Sequence, residues 1–598
     1  MIESASMRIL GIHTLGHDSS VALIENGKIL YASSNERFSR IKMDKQVPLQ
    51  ALKDCLEYTK TRPEDIDKVV ISGDPLPIFY LETLRETSRS LVYSGGKYLI
   101  WLRKPTFILQ QILIWTGIPN FVFDVLIPEI KIRLALRGFK GKYEYLHHHL
   151  AHLYAAYHTS GWDECLVACV EGSGFDETLS VFHVNKGKWK KITQSHVPHS
   201  AGKYYAFITL ILGFNRLTHA GKVTGLAAYG NPSIAYEYVK SFLKVENLEL
   251  KFDYLRYLKA QAFYYNYGSL PPDLKIYKKE DLAAAFQRRL EECVTDILAK
   301  AARQTKVRRI ALAGGVIANV KLNQKIHELR EFDDVHIYHA MGDDGVALGA
   351  ALHLSALEGF KPGPLETVYL GPDFSDQEIL KTLKKFKIKY RKLADVEKEV
   401  ALLLSKNNIV ARFSGRMEHG PRALGNRSIL CQAIDKKINN SLNKKLLRTE
   451  FMPFAPVTLE KHADKCYQKL AGARYPARFM TITFKCTQYM KSISPAVVHT
   501  DGTARPQILC QKDNPDYFNI LSEYHKLTGI PSLVNTSFNI HNEPIVCTPE
   551  DAIRAFLQGC VDYLAIGSYL VSKSDNERLI VDQKQKSTKQ SSLFIHRN

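Results

Sequence analysis

His148 and His152 stand one helical turn apart in the tract HHHLAHLYAAYH, and i,i+4 spacing puts both imidazoles on one helix face. Two imidazoles on one face either grip a divalent transition metal or make ordinary helix surface. Two acidic tracts favour the metal. EGSGFDE begins at Glu171, and MGDDG contains Asp343. Each follows an apolar, β-branched run, ECLVACV or DVHIYHA, and runs into Gly-rich turns. A strand tip in an α/β fold delivers a carboxylate into a site in this way. His148, His152, Glu171 and Asp343 are therefore the candidate metal ligands. Two imidazoles and two carboxylates make a borderline-hard site suited to Fe, Mn or Zn.

A second constellation lies further on. GRMEHGPRALGNRSIL places Arg416, Arg422 and Arg427 close together with helix-breaking glycines between them. HTDGTARPQ adds Arg505, and KKLLRTEFMPFAP adds Lys445 and Arg448. Guanidinium groups offer planar forks to phosphate or carboxylate oxygens, so the cluster is either an oxyanion site or a set of solvated surface charges. LVNTSFNIHNEPIV puts Asn535, Thr536, Ser537 and Asn539 directly after an apolar strand, where hydroxyls and amides hold phosphates or an amide. IALAGGVIANVKLN reads as strand, turn at Gly314 and Gly315, then helix from Asn319. Backbone N–H groups there suit a nucleotide phosphate, or the pair is only a tight turn.

These residues need elements to carry them. The segment from Met7 starts with a β run at Ile9–Ile12, then a turn with His17 and Asp18. SSVALIE and KILYASS follow, joined by Asn26-Gly27, a strong hairpin signal. A strand, a polar turn and a second strand is how actin-like ATPase folds begin, with the turn facing the nucleotide phosphates. HAGKVTGLAAYG, with Lys222, reads as a Gly-punctuated loop leading to a short helix. Residues from about 76 to 142 are basic, aromatic and mostly helical in pattern. They either shape a pocket or interface or complete the core. Lys361–Asp376, rich in Pro and Gly, reads as a linker; the helix ILKTLKKFKIKY and the strand IVARFSG follow it. No internal repeat stands out. The polar, basic end after Ser572 reads as a mobile tail.

The bulk numbers set limits. A chain of 598 residues exceeds one core and implies two to four domains. A net charge of +20 suits nucleic acid or anionic small molecules; the spread of basic residues along the whole chain favours the latter. Ten scattered cysteines suit reduced thiols in a cytoplasm, with Cys165 and Cys169 as core residues. No signal peptide is indicated. Leu109–Pro128 is apolar but interrupted by Gln110, Gln111, Asp124 and two prolines, which argues against a membrane span.

HDSSVALIENGK, ERFSR, HHLAH, GKVTGLAAYG, LAGGVIAN, GDDGVALGAAL, EHGPRALGNRSI, FMPFAPV, HTDGTARPQ and NTSFNIHNEPIV occur in that order. Carrying them, the chain resembles the NodU/CmcH-type O-carbamoyltransferases from about residue 7 to 572. The resemblance implies an α/β and α+β protein. Residues 1–365 would be a Kae1-like, actin-like ATPase module of two subdomains, with the insertion at about 76–142. Residues 366–575 would be a YrdC-like domain, and 576–598 a basic flexible tail. It implies that carbamoyl phosphate and ATP, with Mg2+, form carbamoyl adenylate in the C-terminal domain. It also implies that a metal site, Fe2+ in the best-known members, transfers the carbamoyl group to a hydroxyl of a small natural product such as an antibiotic or toxin.

Carried over by position, His148, His152 and Asp343 match the metal ligands. Glu171 falls where the family usually has Asp, so either Glu171 or Asp176 fills that place. RTEF departs from the usual REPF: Arg448 keeps its position and Glu450 is displaced by one. His17, Asp18 and Lys222 are the catalytic candidates, with His17 either the general base or a turn histidine on phosphate. Gly314, Gly315, Asn319, Asn535, Thr536, Ser537 and Asn539 are the nucleotide candidates. Arg416, Arg422, Arg427, Lys445, Arg448 and Arg505 are the carbamoyl phosphate candidates. The alternative is carbamoyl or threonylcarbamoyl transfer to a protein or tRNA. The zinc-finger cysteine pairs of hydrogenase-maturation enzymes are lacking. No membrane or nucleic-acid partner is expected, and the apolar insertion allows a homodimer.

Overall fold

The computed structural model describes residues 6–14, 16–73, 127–174, 176–361, 363–446, 454–540 and 542–581. Arg448, most of the expected insertion and the end of the tail lie outside these residues.

Alternating apolar runs with polar turns build a first sheet from β1 (Arg8–His13), β2 (Ser20–Glu25), β3 (Lys28–Ser34), β4 (Lys68–Ser72) and β5 (Lys142–Leu146). Its order is β3-β2-β1-β4-β5. β1, β2 and β3 run antiparallel, with the tight turn at Asn26 and Gly27, while β4 and β5 lie parallel to β1. A second sheet holds β6 (Glu164–Gly174), β7 (Glu177–Asn185), β8 (Lys188–His196), β9 (Arg309–Ala313) and β10 (Asp334–Ile337). Its order, β10-β9-β6-β7-β8, and its directions repeat those of the first. The absence of a sequence repeat thus conceals a repeat of topology.

Three helices frame the site: α1 (His148–Ser160), α2 (Lys279–Thr305) and α3 (Val346–Leu357). α1 follows the last strand of the first sheet, and α3 follows the last strand of the second. Both carry small residues where they meet, Ala151 and Ala155 on α1 and Ala347, Gly349 and Ala351 on α3. A Cβ on Gly349 would stand 2.2 Å from the Ala151 carbonyl oxygen, so only glycine allows this approach.

A third, mixed sheet follows. Its strands are β11 (Arg391–Lys392), β12 (Val410–Phe413), β13 (Arg427–Cys431), β14 (Ala455–Leu459), β15 (Gln507–Leu509), β16 (Ser532–Ser537), β17 (Tyr563–Ile566) and β18 (Tyr569–Ser572). The order is β11-β18-β17-β12-β13-β16-β14-β15. Leu404, Tyr517, Leu521 and Tyr524 cover one face. The other face belongs to an apolar core that continues into the second sheet, from Ile429 and Val534 to Leu166 and Leu312.

Several expectations change. The Lys361–Asp376 stretch is extended but not free: Gly371 N–H donates to the Met417 carbonyl, and His419 N–H to that of Val368. The next helix starts at Asp376 under a Ser375 capping box and ends at Lys385, short of the expected run. Gly221 and Gly225 of HAGKVTGLAAYG lie within a helix, Ala220–Leu226, and Gly230 follows the next turn. The expected tail is fixed at its start, where Asn576 is buried and bonded to the backbone of Lys389. The end of the expected insertion supplies the helix Ile127–Ala135 and then β5. Among the described residues no helix is long and apolar enough to cross a membrane. All ten cysteines are buried and free.

Candidate active site

α1 presents His148 and His152 on one buried face. The β6–β7 ladder breaks between Val170 and Gly174, which releases Glu171 from the pairing. Ser200 holds that bulge by donating to the Glu171 and Gly172 carbonyls. Asp343 opens the short turn between β10 and α3. His152 Nε2 stands 3.3 Å from Glu171 Oε1 and 3.4 Å from Asp343 Oδ1, and His148 Nε2 is 3.4 Å from that same Asp343 oxygen. Donor atoms of all four residues lie within 4.8 Å of one another.

Burial favours neutral carboxyls, but the imidazoles outweigh it and hold Glu171 and Asp343 ionised. Neither ring nitrogen of His152 has a hydrogen-bond partner, although the side chain is fully buried. A buried, unpartnered imidazole aimed at two ionised carboxylates suits a shared cation. The cluster could hold a divalent metal ion, and its donors fit one. Glu171, not Asp176, stands with the histidines; Asp176 pairs with His196.

His17 and Asp18 sit beside the cluster. His17 Nδ1 is 2.9 Å from Asp18 Oδ2 and 3.4 Å from Asp343 Oδ2. Its pKa is pushed up to about 9, first by the Asp343 charge and then, against burial, by Asp18. With Nδ1 so fixed, Nε2 is the atom left to exchange a proton. Both residues open onto a cavity of about 1640 Å³ that runs between the second and third sheets. Lys222, Gly315 and Asp343 line it. Gln287, Arg288 and Glu291 of α2 form a wall. Arg422, Arg505, Asn535, Thr536, Ser537 and Asn539 line it too.

The remaining candidates stand elsewhere. Arg427 is fully buried and donates to the carbonyls of Ser414, Gly415, Asn426 and Pro372, over the Phe413 ring. Arg416 donates to the carbonyls of Leu30, Leu370 and Gly371. Lys445 is 3.6 Å from Asp562. None of the three lines the cavity, because each is spent on holding backbone or a carboxylate. Asn319 caps the helix Val320–His327 and bonds Gln287. Gly315 N–H donates to the Glu171 carboxylate, so this Gly-Gly turn braces one of the four clustered side chains. Gly314 packs on Val170 and lies off the cavity.

Residues 8–352 match the family described as carbamoyltransferase N-terminus, and residues 401–573 match carbamoyltransferase C-terminus. The chain belongs to the carbamoyltransferase family. An uncharacterized protein of Methanocaldococcus jannaschii is 32% identical over 95% of this chain and 100% of its own length. One from Synechocystis is 30% identical over 96% and 98%. Nodulation protein NolNO of Sinorhizobium fredii is 30% identical over 94% of this chain and 80% of its own. Among solved structures, HypF of T. kodakarensis covers 59% of the chain at 12% identity and a TM-score of 0.35, a likeness too slight to argue from.

The fold also brings His13 to the cluster, a residue the motifs do not single out. Its Nδ1 donates to the Ser72 carbonyl at 3.2 Å, which leaves Nε2 bare, buried and 3.9 Å from Asp343 Oδ2. Burial, then the His148 charge, push its pKa down to about 4. Strand alternation could have found it: Gly11, two residues earlier on the same face, packs against Ala347 of α3.

Proposed function

We propose that this chain is an ATP-dependent O-carbamoyltransferase with two reaction centres in one cavity. Residues 1–365 form a Kae1-like, actin-like transfer module, with an insertion at about 76–142, and residues 366–575 a YrdC-like activating domain. The observation that carries the reading is the single cavity whose lining brings Asp343, His17 and Lys222 together with Arg422, Arg505, Asn535, Thr536, Ser537 and Asn539.

Arg422 and Arg505 crowd two guanidinium groups together. Burial and the Arg422 charge press the pKa of Arg505 well down, and Arg422 Nε is buried without a partner. Such a pair accepts phosphate oxygens of carbamoyl phosphate or ATP. Thr536, Ser537 and Asn539 supply further donors. One water hydrolyses carbamoyl phosphate to carbamate and phosphate; a carbamate oxygen then attacks the α-phosphorus of ATP, pyrophosphate leaves, and carbamoyl adenylate forms. Transfer within one cavity shortens that intermediate's exposure to bulk water.

His148, His152, Glu171 and Asp343 would hold Fe2+, which when bound supplies Lewis-acid polarisation of the carbamoyl carbonyl. Asp18 orients His17, which with its pKa raised to about 9 is charged at neutral pH and takes the alcohol's proton at Nε2 only after losing its own. Lys222 faces the leaving phosphate. The acceptor is a small hydroxylated natural product.

Purified protein given ATP, Mg2+ and Fe2+ should release pyrophosphate only when carbamoyl phosphate is added. AMP should follow when an acceptor alcohol is present. Pyrophosphate release that ignores carbamoyl phosphate would sink the reading.

A further inference from the structure

A second group of donors lies beside the first. Ligand atoms of His147, Asp176 and Glu177 stand within 4.8 Å of one another. His147 immediately precedes α1, and Asp176 and Glu177 close the turn from β6 into β7. The carboxylates are held from behind. His149 Nδ1 is 2.7 Å from Glu177 Oε2, and its side chain is fully buried. His196 Nδ1 is 3.2 Å from Asp176 Oδ2, and Val197 N–H donates to the Asp176 carbonyl at 2.7 Å. Imidazole partners that fix a carboxylate keep its other oxygen aimed at a shared point, as metal ligands require. A neutral imidazole with two carboxylates suits zinc or manganese.

None of these residues lines the cavity, so they are separate from the reacting groups. They nevertheless share backbone with the first cluster at both ends. His147 adjoins His148, and the turn that ends in Asp176 and Glu177 begins with Glu171.

We propose that His147, Asp176 and Glu177 bind a second divalent cation of the zinc or manganese class, with His196 and His149 bracing the two carboxylates. It pins the β6–β7 turn to the start of α1 and so sets Glu171 against His148 and His152. The site stands on this geometry whether or not the carbamoyl-transfer reading holds. Because the two sites share backbone, filling one tightens the other by the same factor in each direction.

Chelator-treated full-length protein is dialysed at micromolar concentration against Mn2+ or Zn2+, and bound metal is counted by elemental analysis. The parent should take up two equivalents. His152→Ala should keep one, and the pair His147→Gln with Asp176→Asn should also keep one. That pair should bind metal at the first site about tenfold more weakly. One equivalent in the parent overturns the proposal, as do two in the double variant. Uptake that climbs past two without saturating reports adventitious surface histidines and overturns it too. Should the double variant fail to fold by circular dichroism, His152→Ala decides alone: one equivalent supports the second site, and none refutes it.

Discussion

Arg422 and Arg427 share one motif and have opposite surroundings. Arg422 lines the cavity, whereas Arg427 is sealed among four carbonyls. Arg427→Leu strands those acceptors and should lower folding stability by about 3 kcal/mol. Denaturant unfolding measures this, and a loss within error of zero would show that Arg427 is no strut. Arg505→Ala should leave the unfolding midpoint nearly unchanged and raise the carbamoyl phosphate concentration needed for half-maximal pyrophosphate release. An unchanged requirement would remove Arg505 from the anion site. In the metal cluster, His152→Ala should leave pyrophosphate release intact while acceptor carbamoylation falls about 100-fold. Equal loss of both activities would mean that the metal cluster does not separate transfer from activation.

At the level of elements, the small-residue seam between α1 and α3 sets the cluster's dimensions. In an exposed helix Gly→Ala stabilises by about 1 kcal/mol. At Gly349 the sign should reverse, because the added Cβ meets the Ala151 carbonyl oxygen at 2.2 Å and must push α1 away. A loss of about 1–3 kcal/mol is expected, with weaker metal binding, since α1 carries both histidines. A stabilised Gly349→Ala protein would show that the helices part without cost.

How much of this was readable depends on the range of the interaction. The Asn26-Gly27 hairpin, the strand before Glu171 and the i,i+4 histidines are local patterns, and all three are visible in the chain. Whether Arg416 or Arg427 faces solvent, ligand or backbone is set by segments far away in sequence, such as Leu30 and Pro372. His13 was missed for the same reason: only the fold brings β1 to Asp343. The matched topologies of the first two sheets leave no repeat because many apolar side chains satisfy the same alternating pattern.

At the scale of the whole molecule, the proposed pair of centres in one cavity requires the parts on either side to stay in register. The loop His499–Arg505 bridges them. Asp501 Oδ2 is 2.6 Å from Lys321 Nζ on the helix after β9, and Asp501 also accepts from Thr503 and faces His499. Lys321, His499, Asp501 and Thr503 all line the cavity. Burial would raise the Asp501 pKa, but His499, Lys321 and Thr503 outweigh it and hold it well below the ordinary carboxyl value. A carboxyl with a depressed folded pKa stabilises the folded state above its unfolded pKa of about 3.9 and loses that contribution as the pH falls further. Asp501→Asn should therefore cost about 1 kcal/mol at neutral pH. The gap between parent and variant should stay constant through mild acid and close only below about pH 4. Denaturant unfolding across that range tests the sign. A gap that widens in acid would mean the Asp501 carboxyl is protonated in the folded protein. If carbamoyl adenylate passes through the cavity, the same substitution should also let more of it escape into solution at neutral pH. It should do so without slowing pyrophosphate release, because the bridging loop, and not the set of phosphate-binding residues, is what the change loosens.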